Sequence, residues 1–189
     1  MHDLDLTFNH PFHGLHRNQK EITLSGITTH ALVSLATPLG GHETLERELV
    51  NTYGTRLPQC GSSALSKDEK VQFLGLQKDL IFALIKDPQD WVFESWASSL
   101  KEVGYVTDQW DSWVALRIEG VNVFQVLARI CPLDLHLDAF PEGSVSRTMM
   151  EHLAVIILRE KENSFFLMSP RSSANSFLHA LETSISNVL

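Results

Sequence analysis

Two apolar runs, Leu80 to Ile85 and Leu153 to Leu158, each six residues long and free of charge, set the tightest limit on what this chain can become. Six residues fall far short of the roughly 20 that a membrane-spanning helix needs. The runs read instead as buried strands, bounded on each side by turn-forming and charged residues. A chain with 43% hydrophobic and 20% charged residues can bury a core, and at 189 residues about one domain, or two small fused units, is expected.

Charge narrows the partners. Fifteen basic against 23 acidic side chains give a formal charge of −8. No Lys or Arg cluster is present, and the nearest approach, from Arg129 to Arg147, is diluted by acids. Nucleic acid and anionic membrane surfaces are therefore excluded as expected partners, because both require a continuous basic patch. The start of the sequence, His2-Asp3-Leu4-Asp5-Leu6, is acidic and lacks the basic and apolar regions of a signal peptide, so a cytoplasmic location is the expectation. Two cysteines, Cys60 and Cys131, fit a reducing compartment and leave no four-thiolate zinc site in the chain.

Residues 1–20 are polar, lack periodicity and hold four of the nine histidines, which predicts a flexible N-terminal arm. Residues 21–189 are expected to form a single compact unit. Ile22 and Leu24 alternate with polar neighbours, and Ala31 to Ala36 is a second extended run closed by Thr37-Pro38 and Gly40-Gly41. Leu45, Leu49, Val50 and Tyr53 recur at helical spacing, with Glu43 and Glu46 near the positive end and Gly54 placed to stop the helix. Leu57 to Lys70 reads as a loop. Val71 to Leu76 and Leu80 to Ile85 read as strands joined at Gln77-Lys78-Asp79, and Asp87-Pro88 caps a helix with Val92, Trp96, Leu100 and Val103 on its apolar stripe before Gly104. Tyr105 to Asp108 is a further strand.

From Ala31 the order is strand, helix, strand, strand, helix, strand, the split βαβ arrangement that lays two helices on one face of an antiparallel sheet. The second half partly repeats it. Trp113 to Ile118 alternates as a strand. Gly120 is expected to start a helix carrying Val123, Phe124, Leu127 and Ile130, which Pro132 ends. Ser144 to Met150, Leu153 to Leu158 and Ser164 to Met168 read as strands. Ser169-Pro170 then caps a last helix with Ala174, Phe177, Leu178, Leu181 and Ile185 inward. The predicted fold is α+β: two related split-βαβ-like half-domains, about 27–110 and 111–187, with antiparallel sheets covered by helices.

The commonest catalytic signatures are missing. No phosphate-binding Gly-x-x-x-x-Gly-Lys loop, Gly-x-Gly-x-x-Gly turn, His-Glu-x-x-His or Gly-x-Ser-x-Gly occurs. Three weaker constellations remain. His10, His13 and His16 are evenly spaced and could collect a metal with Asp3 or Asp5, yet three-residue steps rotate side chains around a helix, and a solvated tail is the plainer reading. Cys131 lies five residues before His136, but at the negative end of a helix and among apolar neighbours, which favours core packing over a reactive thiolate. Asp108, Trp110, Asp111 and Trp113 cluster at the join of the halves, where paired carboxylates beside indoles could hold a flat heterocycle or work as acid and base. Strand-end acids with aromatic neighbours are also ordinary structural features.

The helix ending in Arg129-Ile130-Cys131-Pro132-Leu133-Asp134-Leu135-His136, then Phe140-Pro141-x-Gly143, Thr148, the strand Val155 to Leu158, Phe165-Phe166-Leu167 and Arg171-Ser172-x-Ala174 resemble, in that order, the gamma subunit of heterotetrameric sarcosine oxidase. Val106-Thr107-Asp108-Gln109-x-Asp111-x-Trp113 also looks like that family, so the similarity spans about residues 22–185. The resemblance implies a fold like the folate-binding region of aminomethyltransferases, in a subunit without chemistry of its own. It further implies alpha, beta and delta subunits as partners and no cofactor in this chain. FAD, FMN, NAD, zinc and tetrahydrofolate would reside in those partners, in a complex that oxidises sarcosine to glycine and hydrogen peroxide. The chain departs from the family pattern at Gln77-Lys78-Asp79-Leu80 and at Gly120-Val121, which leaves a related N-methylglutamate dehydrogenase subunit as an alternative. A free-standing folate enzyme is the other alternative, with Asp108, Asp111 and Trp113 as candidate pocket residues and a deep pocket expected beside the acids.

Overall fold

The computed structural model describes residues 10–86, 88 and 93–188. They form two antiparallel sheets. The five-stranded sheet is built from β3 (His30–Ala36), β4 (Ser63–Leu65), β5 (Val71–Gln77), β6 (Leu80–Lys86) and β7 (Tyr105–Asp108), in the order β4-β5-β6-β3-β7. The six-stranded sheet contains β1 (His16–Gln19), β2 (Ile22–Ile27), β8 (Trp113–Gly120), β9 (Val145–Met150), β10 (Leu153–Lys161) and β11 (Ser164–Pro170), in the order β1-β2-β8-β11-β10-β9. Helices α1 (His42–Tyr53) and α2 (Phe93–Ser98) accompany the first sheet, α3 (Val123–Ala128) and α4 (Ala174–Ser186) the second.

The two apolar runs take interior positions, flanked by a strand on each side, as their composition demands. In β6, Ile81, Ala83 and Ile85 face the core shared with α1, whereas Phe82 and Leu84 face the other sheet. In β10, Val155 and Ile157 pack toward α3 and α4, whereas Ile156 and Leu158 face the first sheet. Strands alternate their side chains between two faces, so a strand buried on both must be apolar throughout. The layers are therefore helix, sheet, sheet, helix, with Leu32, Leu74, Phe82, Leu84, Ile156 and Phe166 among the residues that fill the space between the sheets. Along one edge the sheets are stitched directly: the Ser63 N–H donates to the Gly143 carbonyl at 2.8 Å and the Val145 N–H to the Gly61 carbonyl at 3.0 Å.

The sheet orders also show how the halves are related. The first half runs β3-α1-β4-β5-β6-α2-β7 and the second β8-α3-β9-β10-β11-α4, and aligning the orders places β8 on β3, β9 on β4, β10 on β5 and β11 on β6. The position of β7 is filled in the second sheet by β2, which pairs with β8 from Ile22↔Gly120 to Ile27↔Ala115. The last strand of the second half thus comes from the beginning of the chain.

Several elements differ from the sequence-based expectations. Residues 10–20 of the expected arm are part of the fold: Phe12 is buried in the core of the second sheet, and β1 pairs with β2 from His16↔Ser25 to Gln19↔Ile22. Gly26 permits this seating, since a Cβ there would stand 2.2 Å from the Phe12 carbonyl oxygen. Residues 1–9 of the arm lie outside the described residues. The expected loop from Leu57 to Lys70 contains β4, three residues paired with β5. Gly120 does not start a helix. It closes β8 at φ 140°, where an added Cβ would meet the Glu21 carbonyl oxygen at 2.0 Å, and α3 begins three residues later. Ser169-Pro170 ends β11, and a short 3-10 turn over Arg171–Ser173 precedes α4. Asp87, Trp91 and Val92 of the expected capped helix lie outside the described residues. Within them α2 stops at Ser98, and Leu100 and Val103 reach the core from the turn that follows.

Candidate functional site

The join between the halves is a turn built by its own side chains. At the end of β7 the Asp108 carboxylate accepts the Trp110 backbone N–H at 2.8 Å, the local bond by which Asp reverses a chain. The Gln109 N–H donates to the Leu32 carbonyl at 2.9 Å, and its side-chain amide donates to the Ser34 hydroxyl at 3.2 Å. Arg171, just beyond β11, fastens the other side: its guanidinium donates to Asp111 at 3.3 Å and its backbone N–H to the Ser112 carbonyl at 2.9 Å.

Asp108, Trp110, Asp111 and Ser112 border a hollow of about 380 Å³. Trp113 is not part of it. As the first residue of β8, Trp113 turns between the sheets, with its ring edge-on to Phe82 at 5.9 Å. With Trp110, His10, Thr28 and His30 it lines a separate space of only about 40 Å³. The acids and the Trp110 indole are thus brought together, while Trp113 is directed into the core, because the alternation of β8 leaves it no outward choice. The Asp108 carboxylate serves its turn, and Asp111, 72% exposed, makes a surface ion pair of the kind worth about 0–1 kcal/mol.

The other candidates are dispersed. His10 accepts the Phe12 N–H at Nδ1 (3.1 Å), and His16, on β1, shares a hydrogen bond at 3.0 Å with the Ser25 hydroxyl. Among the described residues no group of three His, Cys, Asp or Glu side chains is placed to hold a metal ion, and Asp3 and Asp5 fall outside them. Cys131 is buried in the core under α3, and that burial pushes its thiol above the ordinary value. His136 is exposed, with its ring 4.9 Å from that of Phe124. Pattern reading overlooked Arg159, which is buried on β10, stands over the Phe165 ring at 4.5 Å and donates to the carbonyls of Leu135 and Glu162. A charge directly after an apolar run, just before a polar turn, was the available signal.

Burial lowers the His10 pKa first, and the nearby Arg171 and His13 charges act in the same direction, against Asp111. A histidine whose folded pKa is depressed favours the neutral ring in the native state. Its contribution is whole above the unfolded value, near 6.5, and is lost as pH falls from there toward the folded one. Stability to urea should therefore decline as pH drops below about 6.5, and His10→Asn should flatten that part of the profile. An unchanged slope in the variant would assign the effect to other groups.

The fold class that this architecture defines is that of the aminomethyltransferases. The chain superposes on aminomethyltransferase T of the glycine cleavage system from Bartonella henselae with a TM-score of 0.61 and 15% identity, over 86% of this chain and 46% of that one. A chain of heterotetrameric sarcosine oxidase from Corynebacterium sp. U-96, in complex with pyrrole 2-carboxylate, matches at a TM-score of 0.76 and 23% identity, over 90% of this chain and 86% of that one.

In sequence, the chain is similar to the sarcosine oxidase subunit gamma of Corynebacterium sp. (strain P-1), 29% identical over 125 residues, which is 66% of this chain and 61% of the relative. The subunit gamma of Arthrobacter sp. is 28% identical over 128 residues, 68% of this chain and again 61% of the relative. The chain thus spans about three-fifths of the length of the curated relatives it matches. No family model matches it. The chain is thus similar in sequence to sarcosine oxidase gamma subunits and in fold to a chain of heterotetrameric sarcosine oxidase. No helix among the described residues is long and apolar enough to cross a membrane.

Proposed function

We propose that this chain is the non-catalytic gamma subunit of a sarcosine oxidase-like heterotetramer and supports assembly of the complex beside alpha, beta and delta subunits. The observation that carries the reading is the joint similarity to a gamma subunit in sequence, at 29% identity, and to a chain of heterotetrameric sarcosine oxidase in structure, at a TM-score of 0.76 over 90% of this chain. The complex would oxidatively demethylate sarcosine to glycine, pass the one-carbon unit to tetrahydrofolate and yield hydrogen peroxide. FAD, FMN, NAD, zinc and tetrahydrofolate are assigned to the partner subunits. A cytoplasmic site fits the two unpaired cysteines.

The test is co-expression of the tagged full chain with the alpha, beta and delta subunits from the same source. The tagged chain should retain a stoichiometric set of subunits showing flavin absorbance, and the isolated chain should leave sarcosine and N-methylglutamate unchanged. Failure to retain the subunits, or turnover of either amine by the isolated chain, overturns the reading. Turnover of N-methylglutamate but not sarcosine by the assembled complex would move the assignment to the related dehydrogenase.

A further inference from the structure

The internal repeat exposes one difference between its halves. β2 and β7 occupy equivalent outer positions, each beside the first strand of its half. The far edge of β2 is covered by β1 over four residue pairs. The far edge of β7 pairs with no strand among the described residues.

The hydrogen-bond phase of β7 follows from its neighbour. In the register Val33↔Asp108, the bond from the Gln109 N–H to the Leu32 carbonyl marks Leu32/Gln109 as a bonded pair. Bonded and non-bonded pairs alternate in an antiparallel ladder, so Tyr105 and Thr107 bond inward to β3. Val106 and Asp108 then direct their N–H and C=O groups away from the sheet. Natural edges are usually blunted by Lys, Pro or a bulge. β7, Tyr-Val-Thr-Asp, has neither of those residues and pairs with β3 without a register shift. By contrast, β1, the outer strand of the other sheet on the corresponding side, carries Arg17, which is ion-paired with Glu182, and is followed by Lys20, whose ammonium bonds the carbonyls of Ser186 and Val188.

Exposed apolar side chains occur on this strand and shortly after its neighbour β3 in the chain. Tyr105, opposite Ala36, is 69% exposed, and Leu39, three residues beyond Ala36, is fully exposed. The one carboxylate of the strand, Asp108, is already engaged by the Trp110 N–H.

We propose that the free edge of β7 receives an extended strand from another subunit of the complex, lying on β7 as β1 lies on β2 and setting an apolar or aromatic side chain against Tyr105. Main-chain bonds to Val106 and Asp108 supply the affinity, and the contact at Tyr105 supplies the selectivity. A second copy of this chain is the weaker occupant, because two four-residue edges bury far less than the roughly 1,000 Å² of a stable interface. The inference rests on the assembly reading proposed above.

The experiment uses the full chain co-expressed with the alpha, beta and delta subunits. Amide hydrogen exchange at Val106 and Asp108 should slow at least tenfold on assembly, while the exposed amides of β1 keep their rates. Thr107→Lys, which sets a charge beside the edge on an exposed residue, should reduce the subunits retained at least tenfold without changing the circular dichroism or melting point of the isolated chain. Val106→Pro, which removes an outward N–H and spares the bonds to β3, should likewise reduce the subunits retained, with the lost packing of Val106 on the first core read separately in the melting point. Unchanged exchange at Val106 and Asp108 in the assembled complex overturns the inference, as does full retention by Thr107→Lys or a β7-mediated homodimer of the isolated chain. If even the unaltered chain retains no subunits, it is the assembly reading that fails.

Discussion

Phe166→Ala should lower the unfolding free energy by about 4 kcal/mol, within the range of roughly 3–5 kcal/mol measured for deleting a fully buried phenylalanine. Phe166 has no exposed surface and sits on β11, whose neighbours are β8 on one side and β10 on the other. Its ring points into the space between the sheets, near the His30 ring at 5.7 Å. Two sheets pack about 10 Å apart, a separation fixed by interdigitated side chains from both. Neither sheet can close over the missing ring without disturbing its own helix layer, so relaxation is limited and the cavity cost remains. Urea titration of the purified chain measures the loss, and Leu39→Ser is the control, expected within about 0.5 kcal/mol because that side chain is already in solvent. A loss below about 2 kcal/mol for Phe166→Ala would mean that the inter-sheet core collapses freely.

Arg159→Met should cost about 2–3 kcal/mol, although methionine suits an apolar site better than a cation does. Replacing a whole buried ion pair by apolar residues is often neutral, since both desolvated charges disappear together. Here the partners are backbone carbonyls, which stay behind. The Leu135 carbonyl receives its bond from Arg159 in a buried setting, and loss of the donor leaves that acceptor without water. The second bond, to the Glu162 carbonyl, lies nearer to solvent and contributes less. Burial already draws the guanidinium below its ordinary pKa, with Glu142 and Glu162 acting in the opposite sense. Arg159→Lys should recover part of the loss, because one ammonium cannot serve both carbonyls in the fork geometry of a guanidinium. Equal stability of Arg159→Met and the parent in urea would show that the carbonyls find other donors.

These two positions differ in how they could be recognised from sequence. Phe166 stands in the predicted strand Ser164 to Met168, and its burial follows from apolar continuity. Arg159 is one residue beyond Leu158, where a strand normally returns to solvent, and only the turn after β10 and the segment around Leu135 convert that charge into a buried strut. β1 and β4 were invisible for a related reason. His-Arg-Asn-Gln and Ser-Ala-Leu have no apolar period, and both are strands because a neighbouring edge offers them bonds. The helix expected at Gly120 was misplaced because φ 140° at this glycine is set by the close approach of Glu21, about 100 positions earlier in the chain.

At the join, the acids and indoles were recognisable as a cluster, but their division was not. Sequence proximity put Asp108, Trp110, Asp111 and Trp113 together, and strand alternation then sent Trp113 inward and left the others around a surface hollow.

Local pattern determined most strands and the presence and order of the helices, because side-chain period and turn chemistry act within a few residues. The alternating segment from Ile22 up to Gly26 is evident as a strand in the same way. That it completes the second sheet, against a partner more than 85 positions away, was decided only by tertiary pairing. The same is true of the free edge of β7 and the buried fork of Arg159. Backbone hydrogen bonds carry no side-chain label, so which edges meet and which stay open is settled when the layers pack.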